Sequence, residues 1–284
     1  MGDLAKKYYE DPAFWEGGML QDPRNMERFK YTYNLIPPDA RSILDAGCGN
    51  GVFINLVAEE RPDMEVHALD WSQEALKYVK TAKTLGDVSH LPFDDNTFDC
   101  VACLEVIEHL PIEAYEQALN ELTRVSRKYV LISVPYNEIL EDSYTCCPSC
   151  KTIFNWELHL RSFNDDLFHN LLKSRGYRNV KTIKAGGHRY LKYHKNFRKI
   201  FYPEQFLIWN SPICPLCGFA EKKVPVRVTP DKHNEQQNNG KAKPRRKLIS
   251  FISILPKLFW PRELKYYWII GLFEKDPSIK WPNV

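Results

Sequence analysis

The chain has 284 residues, 44% hydrophobic, 13% aromatic and 26% charged. That composition excludes general disorder and suffices for one large core with a small appended module. Its 39 basic and 36 acidic residues give a formal charge of +3, which, taken whole, argues against a strongly basic nucleic-acid binder or an acidic tail protein.

In chain order, residues 4–36 read as helical, with Tyr8, Tyr9, Phe14, Trp15, Phe29, Tyr31 and Tyr33 among polar positions. Pro37-Pro38 ends that pattern, so residues 1–40 are expected to form an N-terminal helical lid. The opening MGDLAKKYYEDPAFW is charged where a signal peptide is apolar, and no run reaches the roughly 18 apolar residues of a spanning helix. A cytoplasmic location follows as the expectation. From Arg41 a β-α-β alternation begins. Strand Ser42–Asp45 enters a glycine turn, helix Val52–Glu60 closes at Arg61-Pro62, and strand Glu65–Asp70 leads to Ser72, an N-cap for helix Gln73–Lys83. A third strand segment follows at Thr84–Asp87. Strand Phe98–Val106, helix Ile112–Ser126, strand Tyr129–Val134, helix Asp165–Ser174, strand Val180–Ile183 and a last strand-like run Tyr266–Phe273 complete the pattern. Such alternation predicts an α/β fold, a mostly parallel sheet with helices on both faces. Residues 41–185 would form its core and 266–284 its final strand and tail. Residues 141–155 and 186–265 interrupt the rhythm as insertions, within which Thr229–Pro244 reads as a polar loop.

The segment Asp45-Ala46-Gly47-Cys48-Gly49-Asn50-Gly51 carries the most information. Glycine at three alternate positions lets a backbone turn pass close to a ligand, and the acidic residue at the strand end suits a cationic amine. Asp70, at the end of the second strand, is placed for ribose hydroxyls; Asp87 follows the third, where its carboxylate or its neighbours can read an adenine edge. On LDAGCGNG, HALDWS, GDVSHLPFDDNTFDCV and LEVIEHL, in that order, the chain resembles the class I S-adenosylmethionine-dependent methyltransferases. The resemblance spans residues 40–185 and the final strand. It implies a Rossmann-like seven-stranded sheet with an antiparallel last hairpin, and cofactor contacts from Asp45, Gly47, Gly49, Asp70, Trp71, Asp87 and Val88. Trp71 is expected to stack on adenine. A Rossmann-like domain for another nucleotide and a cofactor-binding scaffold without turnover are the competing readings.

Glu105-Val106-Ile107-Glu108-His109 follows the fourth strand, at the edge facing the transferred methyl. It is not the tetrad used for exocyclic amino methylation of bases, and no Pro-Cys nucleophile for pyrimidine C5 chemistry is present. The segment looks like the E-x-x-E-H cluster of small-RNA 3′-terminal 2′-O-methyltransferases and ubiquinone-pathway O-methyltransferases. That likeness implies a divalent ion at Glu105, Glu108, His109 and a later His159. Alternatively His109, with Glu108, serves as the catalytic base or positions the acceptor.

Of eight cysteines, Cys147, Cys150, Cys214 and Cys217 form two C-P-x-C knuckles, the pattern of a structural zinc site. Cys146 is a spare or an alternative first ligand, and His159 is an alternative member of the shell instead of the second-metal cluster. Cys48, Cys100 and Cys103 read as core. The chain should therefore carry a small zinc-binding insertion module pinned over the ligand edge of the sheet.

Net charge conceals a split. Residues 1–172 hold 15 basic and 29 acidic residues, residues 173–284 hold 24 and 7. A basic second half points to an anionic acceptor, small-molecule or lipid- or glycan-linked, and Lys241–Lys247 running into Leu248–Trp260 suits peripheral membrane contact. RNA is the other anionic candidate, as a 2′-O-methylation substrate or as the ligand of a zinc-containing binding protein.

Overall fold

A computed structural model describes residues 6, 9–16, 23–191, 214–219 and 262–278. Helices α1 (Pro12–Glu16) and α2 (Pro23–Tyr33) precede β1 (Ser42–Ala46), α3 (Val52–Glu60), β2 (Glu65–Asp70), α4 (Gln73–Leu76) and β3 (Ala82–Leu85). Then come β4 (Phe98–Leu104), a short 3-10 turn Ile107–His109, α5 (Ile112–Val125) and β5 (Ser126–Pro135). A hairpin of β6 (Tyr144–Cys146) and β7 (Ile153–Asn155) leads to α6 (Asp165–His169) and β8 (Tyr177–Ala185). Strands β9 (His188–Leu191) and β10 (Arg262–Lys265) pair with each other, and β11 (Trp268–Lys275) returns to the main sheet.

That sheet has seven strands in the order β3-β2-β1-β4-β5-β11-β8. All neighbours run parallel except β11, antiparallel to both β5 and β8. Strand order reverses beside β1, and in open α/β sheets the crevice at that switch point, at the carboxyl ends of the strands, is where ligands sit. Alternation along β1 supplies both cores. Leu44 joins Val101, Ile132, Leu119, Leu122 and Phe168 on one face; Ile43 joins Cys100, Leu131, Phe53, Ile54 and Val57 on the other. Strands buried on both faces need near-continuous apolar runs, which β4 and β5 have. Each such buried Leu, Ile or Phe contributes about 1.5–3 kcal/mol. Cys100 and Cys103 are core residues as expected, and burial pushes the Cys100 thiol up to about 12.

Two helices are shorter than their periodicity predicts. The helix capped by Ser72 stops at Leu76 instead of Lys83, because residues 82–85 pair with β2. Lys83 instead donates its Nζ to the carbonyls of Leu76 (2.7 Å) and Val79 (3.0 Å), satisfying groups at the end of that turn. The helix from Asp165 ends at His169, and Gly176, at φ 77°, closes the turn before β8. The basic-apolar stretch 241–260 lies outside the described residues; among the described residues no helix is long and apolar enough to cross a membrane.

Candidate active site and cysteine cluster

Asp45 lies one residue before the end of β1 at 2% exposure, with Oδ1 lacking any hydrogen-bond partner. Burial, then the charge of Asp70, push its carboxyl up to about 7, against the pull of Arg28. The following turn needs its glycines. Gly47 has φ 82° and a Cβ there would lie 2.5 Å from Val106 Cγ2; Gly49 has φ 54° and a Cβ would meet the Trp15 ring at 2.9 Å. Asp70 ends β2 and binds the turn in place, its Oδ2 accepting from Gly49 N–H and its Oδ1 from Ser72 N–H, each at 2.8 Å. Burial raises that carboxyl to about 6.

Residues 9–16 lie on this turn. The Tyr9 carbonyl accepts from Ser72 Oγ and Trp15 Nε1, and the Glu10 carboxylate accepts the N–H groups of Gln73 and Glu74. Trp71 packs against Tyr9, with ring centroids 5.8 Å apart. Beyond β3, Asp87 Oδ1 accepts from the backbone N–H and hydroxyl of Ser89, and Val88 is buried.

Arg28 on α2 escaped the sequence reading. Its side chain is buried, Nε and Nη1 lack hydrogen-bond partners, and Nη1 lies 3.7 Å from Glu105 Oε1. The guanidinium also sits over the rings of Phe29 (4.5 Å) and Trp268 (5.3 Å). Glu105 balances its charge but accepts no hydrogen bond from it, so the buried guanidinium keeps donors free for a further anionic group.

After β4, Glu108 is fully buried, neither carboxylate oxygen has a hydrogen-bond partner, and Oε1 lies 4.0 Å from His109 Nε2. Burial, reinforced by the charge of Glu105, pushes its carboxyl well above the usual range. His109 Nδ1 is likewise unpartnered, and burial, then the neighbouring His159, hold that ring down at about 3, so it is neutral. His159 reaches the cluster from the loop after β7. Its Nδ1 lies 2.6 Å from Glu138 Oε2 and 3.6 Å from Glu157 Oε2. Burial alone would lower its pKa; the Glu138 hydrogen bond and charge outweigh that and raise it.

One ligand atom from each of Glu108, His109 and His159 lies within 4.8 Å of the others, three of the four expected ligands. Glu105 does not join them. Its backbone is left-handed at φ 58°, its Oε1 accepts from Ser133 Oγ at 2.6 Å, and its carboxylate faces Arg28. Arg161 donates to the carbonyls of Ile107 and Leu110, and Leu160 N–H to the Glu108 carbonyl at 2.9 Å, which fixes the turn.

The two knuckles meet. One Sγ each from Cys147, Cys150, Cys214 and Cys217 lies within 4.8 Å of the rest, with Cys147–Cys217 and Cys150–Cys214 both at 3.7 Å. Thiolates bound tetrahedrally at about 2.3 Å from one zinc ion are about 3.8 Å apart. The backbones repeat each other: Lys151 N–H bonds Cys147 O as Gly218 N–H bonds Cys214 O, and Cys147 N–H bonds Thr152 O as Cys214 N–H bonds Phe219 O. Lys151 and Gly218 are both left-handed, at φ 60° and 71°. Cys146 stands outside the four, its Sγ turned to the carbonyls of Cys147 and Lys151, and His159 faces Glu138 instead.

Sheet order, glycine turn and acidic β2 terminus together define a class I methyltransferase domain. Residues 44–132 match the family model described as a methyltransferase domain. The chain is 34% identical over 131 residues to an uncharacterized protein of Methanocaldococcus jannaschii, covering 44% of this chain and 54% of that one. It is 31% identical over 164 residues to a probable S-adenosylmethionine-dependent methyltransferase of Mycobacterium tuberculosis, covering 54% and 55%. Among solved structures, magnesium protoporphyrin IX methyltransferase from Synechocystis superposes with a TM-score of 0.50 at 15% identity, over 64% of this chain and 92% of that one. The chain thus spans about half the length of the curated relatives it matches; its core has the Rossmann-like class I methyltransferase fold, and residues 44–132 match a methyltransferase domain.

Proposed function

We propose that this protein transfers a methyl group from S-adenosylmethionine to an oxygen atom of an anionic acceptor, a small molecule or a lipid- or glycan-linked one. The observation that carries the reading is the fully buried Glu108 carboxyl, without a hydrogen-bond partner, beside the half-buried His109 and His159, on the same sheet edge as the glycine turn. Orphaned buried polar groups are costly unless a ligand completes them.

The cofactor's zwitterionic end matches two other orphans: Asp45 Oδ1 suits its ammonium and the Arg28 donors its carboxylate. Gly47 and Gly49 admit its chain, Asp70 takes the ribose, and Asp87 and Val88 flank the adenine. Transfer is an in-line displacement, in which the acceptor O–C bond forms as the sulfonium S–C bond breaks and the acceptor's proton leaves. Neutral His109 is in the state needed to accept a hydrogen bond from the acceptor hydroxyl or to hold a metal ion. The oxygen and nitrogen donors of Glu108, His109 and His159 fit a divalent cation, which would lower the acceptor hydroxyl's pKa. Cys147, Cys150, Cys214 and Cys217 would hold a structural zinc. Lys241–Trp260 would give peripheral contact with an anionic membrane surface. RNA 2′-O-methylation is the second reading, favoured by the basic second half.

The test is transfer of labelled methyl from the cofactor into lipid, RNA and small-molecule fractions. Glu108→Gln and His109→Ala should each cut transfer at least 100-fold while leaving cofactor affinity intact. Unchanged affinity in Asp70→Ala would remove the cofactor assignment, and label confined to RNA would promote the second reading.

A further inference from the structure

Resting on that reading of the acceptor side, we infer that Glu138 is a positioning residue that sets the tautomer and orientation of His159. Glu138 lies in the loop after β5 and His159 in the loop after β7, and no spacing in the sequence links them. The fold brings Glu138 Oε2 to 2.6 Å from His159 Nδ1. That is a short N–H···O bond with a charged acceptor. Nδ1 therefore carries a hydrogen, and in the neutral ring Nε2 is the nitrogen left with a lone pair for the cluster shared with Glu108 and His109. A carboxylate that fixes a ligating histidine through its far nitrogen is a recurrent device in metal sites.

Glu138, Glu157 and His159 also approach one another within 4.8 Å, so the same residues offer themselves as a separate cation site. The distance speaks against it. Two ligands about 2.1 Å from one octahedral ion stand about 3 Å apart, more than the 2.6 Å between Glu138 and His159.

The backbone holds both partners rigidly. Asn137, just before Glu138, and Leu158, just before His159, are non-glycine residues at φ 49° and 62°, and Glu105 at the head of the Glu108–His109 turn is at φ 58°. Left-handed backbone at such residues persists only where the surroundings impose it. Here they do: Asn137 N–H bonds Phe163 O at 2.8 Å, Leu158 N–H bonds Asn155 O at 2.9 Å, and Leu160 N–H bonds Glu108 O at 2.9 Å. Strained positions thus stand beside three of the segments that meet in the acceptor-side cluster.

The test compares Glu138→Gln and Glu138→Ala in the full chain, with Mn²⁺ as the metal probe and imidazole ¹⁵N resonances as the tautomer probe. At alkaline pH, wild type and Glu138→Gln, whose amide oxygen still accepts the Nδ1 hydrogen, should show His159 as the Nδ1–H tautomer; Glu138→Ala should show a mixture. Mn²⁺ affinity should fall 10- to 100-fold in Glu138→Ala and be largely kept in Glu138→Gln. An equal loss in both variants would make Glu138 a direct ligand and overturn the proposal. So would an Nε2–H tautomer in wild type, or an Ala variant with unchanged tautomer and affinity. If His109→Ala leaves Mn²⁺ binding untouched, the metal reading fails by itself, while the tautomer measurement still decides the role of Glu138.

Discussion

Asp45 and Asp70 have folded-state values of about 7 and about 6 against an ordinary 3.8. Folding therefore favours their protonated forms, and the stability this gives is complete below about pH 4 and lost as pH rises through 6 and 7. The ligand-free protein should lose thermal stability from pH 5 to pH 8, the change flattening in Asp45→Asn. On the proposed pairing of the S-adenosylmethionine ammonium with ionised Asp45, binding below about pH 7 must expel a proton and affinity should climb with pH toward that value. Calorimetry in two buffers of different ionisation enthalpy measures the release directly; identical heats at pH 6 would show that Asp45 is already ionised. Arg28 yields a separate expectation. Charged hydrogen bonds are worth about 1.5–3 kcal/mol, so wild type should prefer the intact cofactor over its decarboxylated form about 10- to 100-fold. Arg28→Met should erase that preference, and a preference that survives the substitution would place the carboxylate elsewhere.

At the scale of elements, the sequence reading succeeds where one local cause dominates and fails where a distant partner decides. The glycine turn, the Ser72 cap and the knuckles are each specified by a few adjacent residues, and Ser72 Oγ indeed accepts from Ala75 N–H at 3.0 Å. The apolar spacing of Gln73–Lys83 continues past the helix end at Leu76, where pairing of residues 82–85 with β2, separated in sequence, prevails. Glu138, Glu157 and Arg28 carried no motif, since nothing local distinguishes a carboxylate or a guanidinium that the fold will bury from one that stays solvated. Glu105 was the converse: it stands in the motif, but Ser133 and Arg28 draw it off. The β6–β7 hairpin links the cysteine cluster to the acceptor side, because the chain passes from Cys150 through β7 to His159 within nine residues. One zinc per chain is expected, lost in Cys147→Ser/Cys214→Ser. Hydrogen exchange should then rise across residues 144–160, with cofactor affinity changed less than about threefold because its turn belongs to β1 and β2. Exchange unaltered by zinc loss would uncouple the cluster from the hairpin.

Across the whole molecule, the formal +3 is a cancellation between an acidic first part and a basic second part. In the sheet the two meet side by side, for β11 and β8, from the basic part, complete an edge whose other strands come from the acidic part. The glycine turn, with Asp45 and Asp70, follows strands of the acidic part, which favours a cofactor carrying a sulfonium and an ammonium. The basic part suits an acceptor of opposite sign. Charges so separated act over about a Debye length, 8–10 Å at ordinary ionic strength, and focus an anion without contacting it. Raising salt from 50 to 300 mM should therefore increase KM for an anionic acceptor by roughly tenfold, and the cofactor Kd by less than about threefold, because Asp45 and Asp70, proposed to hold it, are buried and little screened. Replacing Lys241, Lys243, Arg245, Arg246 and Lys247 together by Gln should reduce that salt dependence without moving cofactor affinity. A KM indifferent to salt in the unaltered chain would mean that the basic part serves something other than acceptor capture.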